Sequence, residues 1–159
     1  MRRPQSVAVT VVLAFALAAL APLFAADPQV GVWRINLAKS RYNPAGLAPK
    51  STVVKVDPVA NGVKVTVDTT DAANNTIHYD YTAKYDGKEY PVVGDPGRDA
   101  TSMKKIDELT FEQTNKKSGK VTTINRWVYA RDGKSRVQTT TGANPQGEKI
   151  DNRIVWDRQ

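Results

Sequence analysis

The stretch Thr76–Pro96, TIHYDYTAKYDGKEYPVVGDP, decides the fold. Ile77, Tyr79, Tyr81, Ala83 and Tyr85 fall on one face of an extended chain, and His78, Asp80, Thr82 and Lys84 fall on the other. That period of two is the mark of a half-buried strand. Asp86-Gly87 supplies residues that tolerate positive φ, so the chain turns into a second short strand around Tyr90. Pro91 and Gly94-Asp95-Pro96-Gly97 are expected to end that strand, as a tight turn with no following helix to bind an anion.

The same rhythm runs outward in both directions. Upstream, Gly31–Asn36 reads as a first strand with Trp33, Ile35 and Leu37 on one face. Leu37–Tyr42 is too short for a packed helix and reads as one turn. Thr52, Val54 and Val56 make a strand that Pro58 is expected to end. Asn61-Gly62 is a strong hairpin signal, and Val63, Val65 and Val67 alternate on the return strand. Downstream, Thr101–Ile106 and the stretch holding Leu109, Phe111 and Gln113 on one face form two more strands. Val121–Ala130 sets Thr123, Asn125, Trp127 and Tyr129 against Ile124, Arg126 and Val128. Arg136–Thr141 follows an Asp132-Gly133 turn, and Ile150–Asp157 places Ile150, Asn152, Ile154 and Trp156 on one face.

No amphipathic stretch is long enough for a packed helix, and turns recur roughly every dozen residues. The chain is therefore all-β, an antiparallel up-and-down barrel of about 8–10 strands. Closure suits strands that pair with their sequence neighbours, removes exposed edges, and accounts for strands mixed in polarity on both faces.

Residues 1–25 are read as a signal peptide rather than as part of the fold. Arg2-Arg3 precede an apolar run from Val7 to Ala21, and small residues follow at Ala25 and Ala26. The expected product is one domain over residues 26–159, cleaved near Ala25, periplasmic or secreted, with no stable membrane anchor after cleavage. The chain has no cysteine, which removes thiol chemistry, thiolate metal sites and disulfide staples.

The charge excess lies in the second half. Residues 98–159 hold 13 basic and eight acidic residues, whereas residues 26–97 are balanced. Lys104, Lys105, Lys116, Lys117, Lys120, Arg126, Arg131, Lys134, Arg136, Arg153 and Arg158 carry the excess, read as solubilising surface or, in an envelope interaction protein with a filled barrel, as a contact for an anionic envelope polymer or a protein partner. Export argues against nucleic acid.

Gly31-x-Trp33 at the start of the first strand resembles the opening motif of the lipocalins and the wider calycin barrels. The resemblance implies that Trp33 closes one end of the barrel and that an arginine of the last strand packs across it. Arg153 and Arg158 are the candidates. Asn36-x-x-Lys39-Ser40-x-Tyr42-x-Pro44, Lys84-Tyr85-Asp86-Gly87-Lys88, Tyr90-Pro91-Val92 and Gly94-Asp95-Pro96 resemble a group of small exported bacterial proteins of lipocalin-like build. That likeness runs over most of the mature chain.

Catalytic signatures are few. His78 is the single histidine and faces away from the tyrosines, so no metal site and no catalytic triad is expected around it. Asp68, Asp71, Asp86, Asp107 and Asp132 fall in turn signals, where local hydrogen bonding explains them. No cofactor is expected, and an enzyme built on carboxylate or tyrosine acid–base groups is the least favoured class. The aromatic set Tyr79, Tyr81, Tyr85, Phe111, Trp127 and Tyr129, with Asn125 and Gln113 as polar anchors, either fills the interior or lines a site for a small amphipathic or apolar ligand.

Overall fold

The computed structural model describes residues 27–144 and 147–159. The signal-peptide reading of residues 1–25 lies outside them. Ten strands follow one another: β1 (Gly31–Arg41), β2 (Ser51–Val59), β3 (Gly62–Thr70), β4 (Thr76–Lys84), β5 (Asp86–Val93), β6 (Ala100–Lys105), β7 (Thr110–Lys117), β8 (Lys120–Tyr129), β9 (Ser135–Ala143) and β10 (Lys149–Arg158). Each pairs antiparallel with its sequence neighbours, and β10 returns to β1, so the sheet closes as an antiparallel up-and-down barrel. A single 3-10 turn, Ala45–Leu47, sits in the connection from β1 to β2.

Alternation decides which residues face inward. Val54 and Val56 on β2, Val63, Val65 and Val67 on β3, and Tyr81 and Ala83 on β4 are all buried, while Lys55, Lys64 and Thr82 between them are exposed or half-exposed. The Asn61-Gly62 turn fixes the β2–β3 register, with Val54 opposite Val67 and Val56 opposite Val65. A one-residue slip would turn these valines to solvent, so the turn and the apolar pattern enforce the same pairing.

Three local expectations are corrected. Leu37–Tyr42 is not a free turn: β1 runs on to Arg41 through a bulge between Asn36 and Arg41. The Ser40 hydroxyl donates to the Asn36 carbonyl and accepts from the Val155 N–H, so the bulge stays tied to β10. Neither Pro58 nor Pro91 ends its strand. Pro58 remains in β2 opposite Val63, because the pairing of β2 with β1 stops at Val56 and no ladder bond is asked of the Pro58 nitrogen. Pro91 remains in β5 opposite Ala100, and the β4–β5 ladder beside it holds only Asp80–Val93 and Tyr81–Val92. Asp68 lies within β3 rather than in a turn and meets His78 of β4 at 2.7 Å on the outer surface.

One end of the barrel is closed. Trp33 is fully buried there, and its indole N–H donates to the Gln29 carbonyl. The Arg158 guanidinium lies 4.4 Å from the centroid of the Trp33 ring and donates to the carbonyls of Pro28, Val30 and Gly133. This packing explains the glycine two residues before the tryptophan. Gly31 has φ +135°, and a Cβ there would lie 2.6 Å from Arg158 Nη1. Arg153 points outward and is exposed, paired across the sheet with Arg41 and far from the Trp33 ring in register.

Gly31→Ala should therefore displace Arg158 and strain the backbone together, costing on the order of 1–3 kcal/mol. Chemical denaturation of the purified domain would measure it. A stability within error of wild type would show that Arg158 does not depend on this glycine.

Candidate ligand pocket in the barrel interior

The interior holds a cavity in two sections. The deep section has a volume of about 90 Å³. The wider section, at the end opposite Trp33, has about 370 Å³. Tyr79, Arg98, Asn125 and Gln138 border both, so they form a waist between the mouth and the depth. The mouth is rimmed by Leu47 of the 3-10 turn and by Ile150 and Ile154 of β10. The deep section alone is smaller than the roughly 150 Å³ cavity that holds a benzene ring. It has room for a head group or a few waters, and a longer molecule would extend through the waist into the mouth.

The walls of the deep section differ in chemistry. Val54 and Val56 of β2 and Val65 and Val67 of β3 make an apolar side. The strands β7 to β9 across the barrel make a polar one. There the hydrogen bonds run on from residue to residue: Asn125 Nδ2 donates to Gln113 Oε1, and Gln113 Nε2 donates to the Tyr81 hydroxyl. The Thr140 hydroxyl donates to Asn125 Oδ1 and accepts from Gln138 Nε2. Gln138 Oε1 accepts the indole N–H groups of Trp127 and Trp156, at 2.9 and 3.1 Å. These groups are buried, so each satisfied bond avoids a desolvation cost of about 1–3 kcal/mol.

Two arginines face the cavity, and they are held differently. Arg98, between β5 and β6, donates from Nε to Asp95 at 2.7 Å, from Nη1 to Asn115, and from Nη2 to the Tyr79 hydroxyl. Burial opposes its charge, but Tyr79, Asp95 and Tyr81 together more than offset this and raise its pKa. Arg136, on β9, is 4% exposed and has no ion pair among the described residues. Its Nη1 donates to the Tyr129 hydroxyl at 2.7 Å, and its Nε has no partner among the described residues. The rings of Trp33 and Trp156 lie 4.8 and 5.0 Å from its guanidinium carbon. Such contacts contribute about 2 kcal/mol or more each when desolvated, set against a penalty of several kcal/mol for taking the ion out of water, and they leave the Nε donor unpaired.

From Tyr129 a polar relay crosses the closed end. The Tyr129 hydroxyl donates to Gln29 Oε1, Gln29 Nε2 donates to the Tyr85 hydroxyl, and Tyr85 donates to the Asp27 carboxylate. Asp27 is thus an acid linked to Arg136 only through three intervening side chains. Burial raises the pKa of Tyr79, Tyr81, Tyr85 and Tyr129, so these hydroxyls are neutral hydrogen-bonding groups at ordinary pH.

The structure divides the residues singled out from sequence. Tyr79, Tyr81, Asn125 and Trp127 line the cavity. Tyr85, Phe111 and Tyr129 do not: they pack edge to face or tilted against one another and Trp33 as the plug of the closed end. Arg136, counted above among surface charges, is interior. The surface charge is also partly engaged, since Lys116 pairs with Glu89 and Arg126 with Glu112. Arg98, Arg136 and Gln138 are the cavity residues that the hydrophobic pattern misses. Val137 is the apolar residue of β9, and it turns outward. Counting through the Asp132-Gly133 turn would have found the inward set, because Tyr129 lies opposite Arg136 and Trp127 opposite Gln138.

No protein-family model matches the chain, and no curated protein sequence matches it. Among solved structures, zebrafish ileal bile acid-binding protein complexed with cholic acid is similar in shape, at 13% sequence identity and a TM-score of 0.46. The match covers 83% of this chain and 99% of that one.

Two outcomes test this interior. Gln138→Leu leaves the Trp127 and Trp156 N–H groups without their acceptor, and should lower stability by about 2 kcal/mol and alter tryptophan emission. An unchanged denaturation midpoint would mean that the indoles find other partners. Burial holds the pKa values of Tyr79, Tyr81 and Tyr129 above the ordinary tyrosine value of about 10, so above that pH the folded state keeps protons that the unfolded chain has lost. Their contribution to stability is complete below pH 10 and is lost as pH climbs toward the folded values. An absorbance titration of tyrosine should lag behind that of the denatured chain, and coincident curves would contradict the burial.

Proposed function

We propose that the domain is a non-enzymatic carrier that binds a small amphipathic molecule in the barrel and acts outside the cytoplasm after loss of the N-terminal segment. The observation that carries this reading is the division of the cavity into a valine wall on β2 and β3 and a hydrogen-bonding wall on β7 to β9, reached from an open mouth. A cavity serving only as packing has no use for facing walls of opposite chemistry. A ligand with one apolar and one polar side satisfies both. The narrow depth favours entry of a polar end, with the bulk of the molecule against Leu47, Ile150 and Ile154 in the mouth.

The signal-like residues 1–25 support export, and the closure of the sheet around its cavity supports a carrier built around its interior. Titration of the mature domain with N-phenyl-1-naphthylamine, a neutral fluorescent amphiphile, tests the reading. Saturable one-site binding is expected, with a change in the emission of Trp127 and Trp156. Val67→Phe, which fills the apolar wall, should weaken it about tenfold or more. The absence of saturable binding, or full affinity in a folded Val67→Phe variant, would overturn it.

A further inference from the structure

We infer that the ligand is an anion, most simply a carboxylate, and that Arg136 is its anchor. This rests on the ligand-binding reading above and narrows the chemistry of the ligand's polar end. Arg136 lines the deep cavity and is 4% exposed. The other cavity arginine, Arg98, is matched by Asp95, so together they add no net charge. Arg136 has no such partner among the described residues, and the described lining of the cavity is left one charge positive.

The free edge of the guanidinium gives the expected geometry. Nη1 is committed to Tyr129, and neither Nε nor Nη2 donates to any described residue. Nε and Nη2 lie on one edge of the guanidinium plane, spaced to donate in parallel to the two oxygens of a carboxylate. Tyr129, relayed through Gln29 and Tyr85, fixes the opposite edge. The rings of Trp33 and Trp156 attract the charge but offer it no oxygen acceptor. Nε is fully covered in the unliganded pocket, so an entering carboxylate meets the Nη2 side first and completes the fork by a small rotation of the guanidinium.

An all-structural role for Arg136 makes a different prediction from an anchoring one. As a structural cation it would be indifferent to the charge of the ligand. As an anchor it discriminates between molecules that differ only in their head group. Decanoate and 1-decanol share one chain and differ there.

Calorimetric titration of the wild-type domain at neutral pH should show decanoate binding at least tenfold more tightly than decanol. Arg136→Met should erase that preference, and Arg136→Lys should keep part of it. If Arg136→Met does not fold, the wild-type protein still decides the matter. With ¹⁵N-labelled arginine, the Arg136 Nε–H resonance should move on addition of decanoate and stay in place with decanol. Equal affinity for the two in wild type, or a preference that persists in Arg136→Met, would overturn the anchor and leave the carrier reading intact. Failure of both molecules and of the neutral naphthylamine to bind would overturn the anchor together with the carrier.

Discussion

Ten strands closed on themselves enclose more space than a single layer of aliphatic side chains fills, and the rest of this structure follows from that constraint. At the Trp33 end the space is taken up by rings. Trp33, Tyr85, Phe111 and Tyr129 meet at centroid distances between 5.3 and 5.7 Å, with the fully buried Trp33 held under Arg158. Toward the mouth no comparable plug exists among the described residues. The strands there carry glutamine, asparagine and threonine inward, which must bond to one another or to something else. The relay from Tyr81 to Trp156 is the solution for most of them, and the cavity is the volume they do not fill.

Charge separates the two arginines in the same way. Arg98 stands at the waist with Asp95, Asn115 and Tyr79 around it, and its donors are used. Its surroundings fix the loop between β5 and β6, including the Asp95–Gly97 turn, where Asp95 Oδ1 accepts the Gly97 N–H. Arg136 is enclosed by four aromatic rings and a phenol hydroxyl. A buried cation without a matching acid lowers stability, and a fold selected for stability alone would place a methionine or leucine there at little loss of packing. Its presence among otherwise satisfied polar groups sets it apart from the relay beside it.

Most of the fold was legible in the sequence because it is written in two local signals. Valines at every second position and turn pairs such as Asn61-Gly62, Asp86-Gly87 and Asp132-Gly133 mark strands and their reversals without knowledge of the partner strand. The errors fell where pairing with a distant neighbour decides the outcome. Pro58 and Pro91 could stay in their strands only because the adjoining ladder stops short on one side, and the bulge of β1 is held by Val155, more than a hundred residues away in sequence. The site was half legible. Tyr79, Tyr81, Asn125 and Trp127 announce themselves by parity with apolar neighbours, whereas Arg136 and Gln138 sit on a strand whose apolar residue faces outward. An arginine in a short polar strand reads as surface until its cross-strand partner is counted.

That failure points to where function is encoded in such a barrel. Strand faces that obey the apolar pattern build the shell and the plug, and any of several sequences would serve. The inward face of β9 departs from it at Arg136, Gln138 and Thr140, all buried and all polar. Gln138 and Thr140 are explained by the bonds they make within the wall. Arg136 is explained only in part, since Tyr129 uses one edge of the guanidinium and leaves the other open. Arg136 thus breaks the folding pattern without being satisfied by the described residues, and the cavity beside it is where the anion inferred above would supply the remaining acceptor.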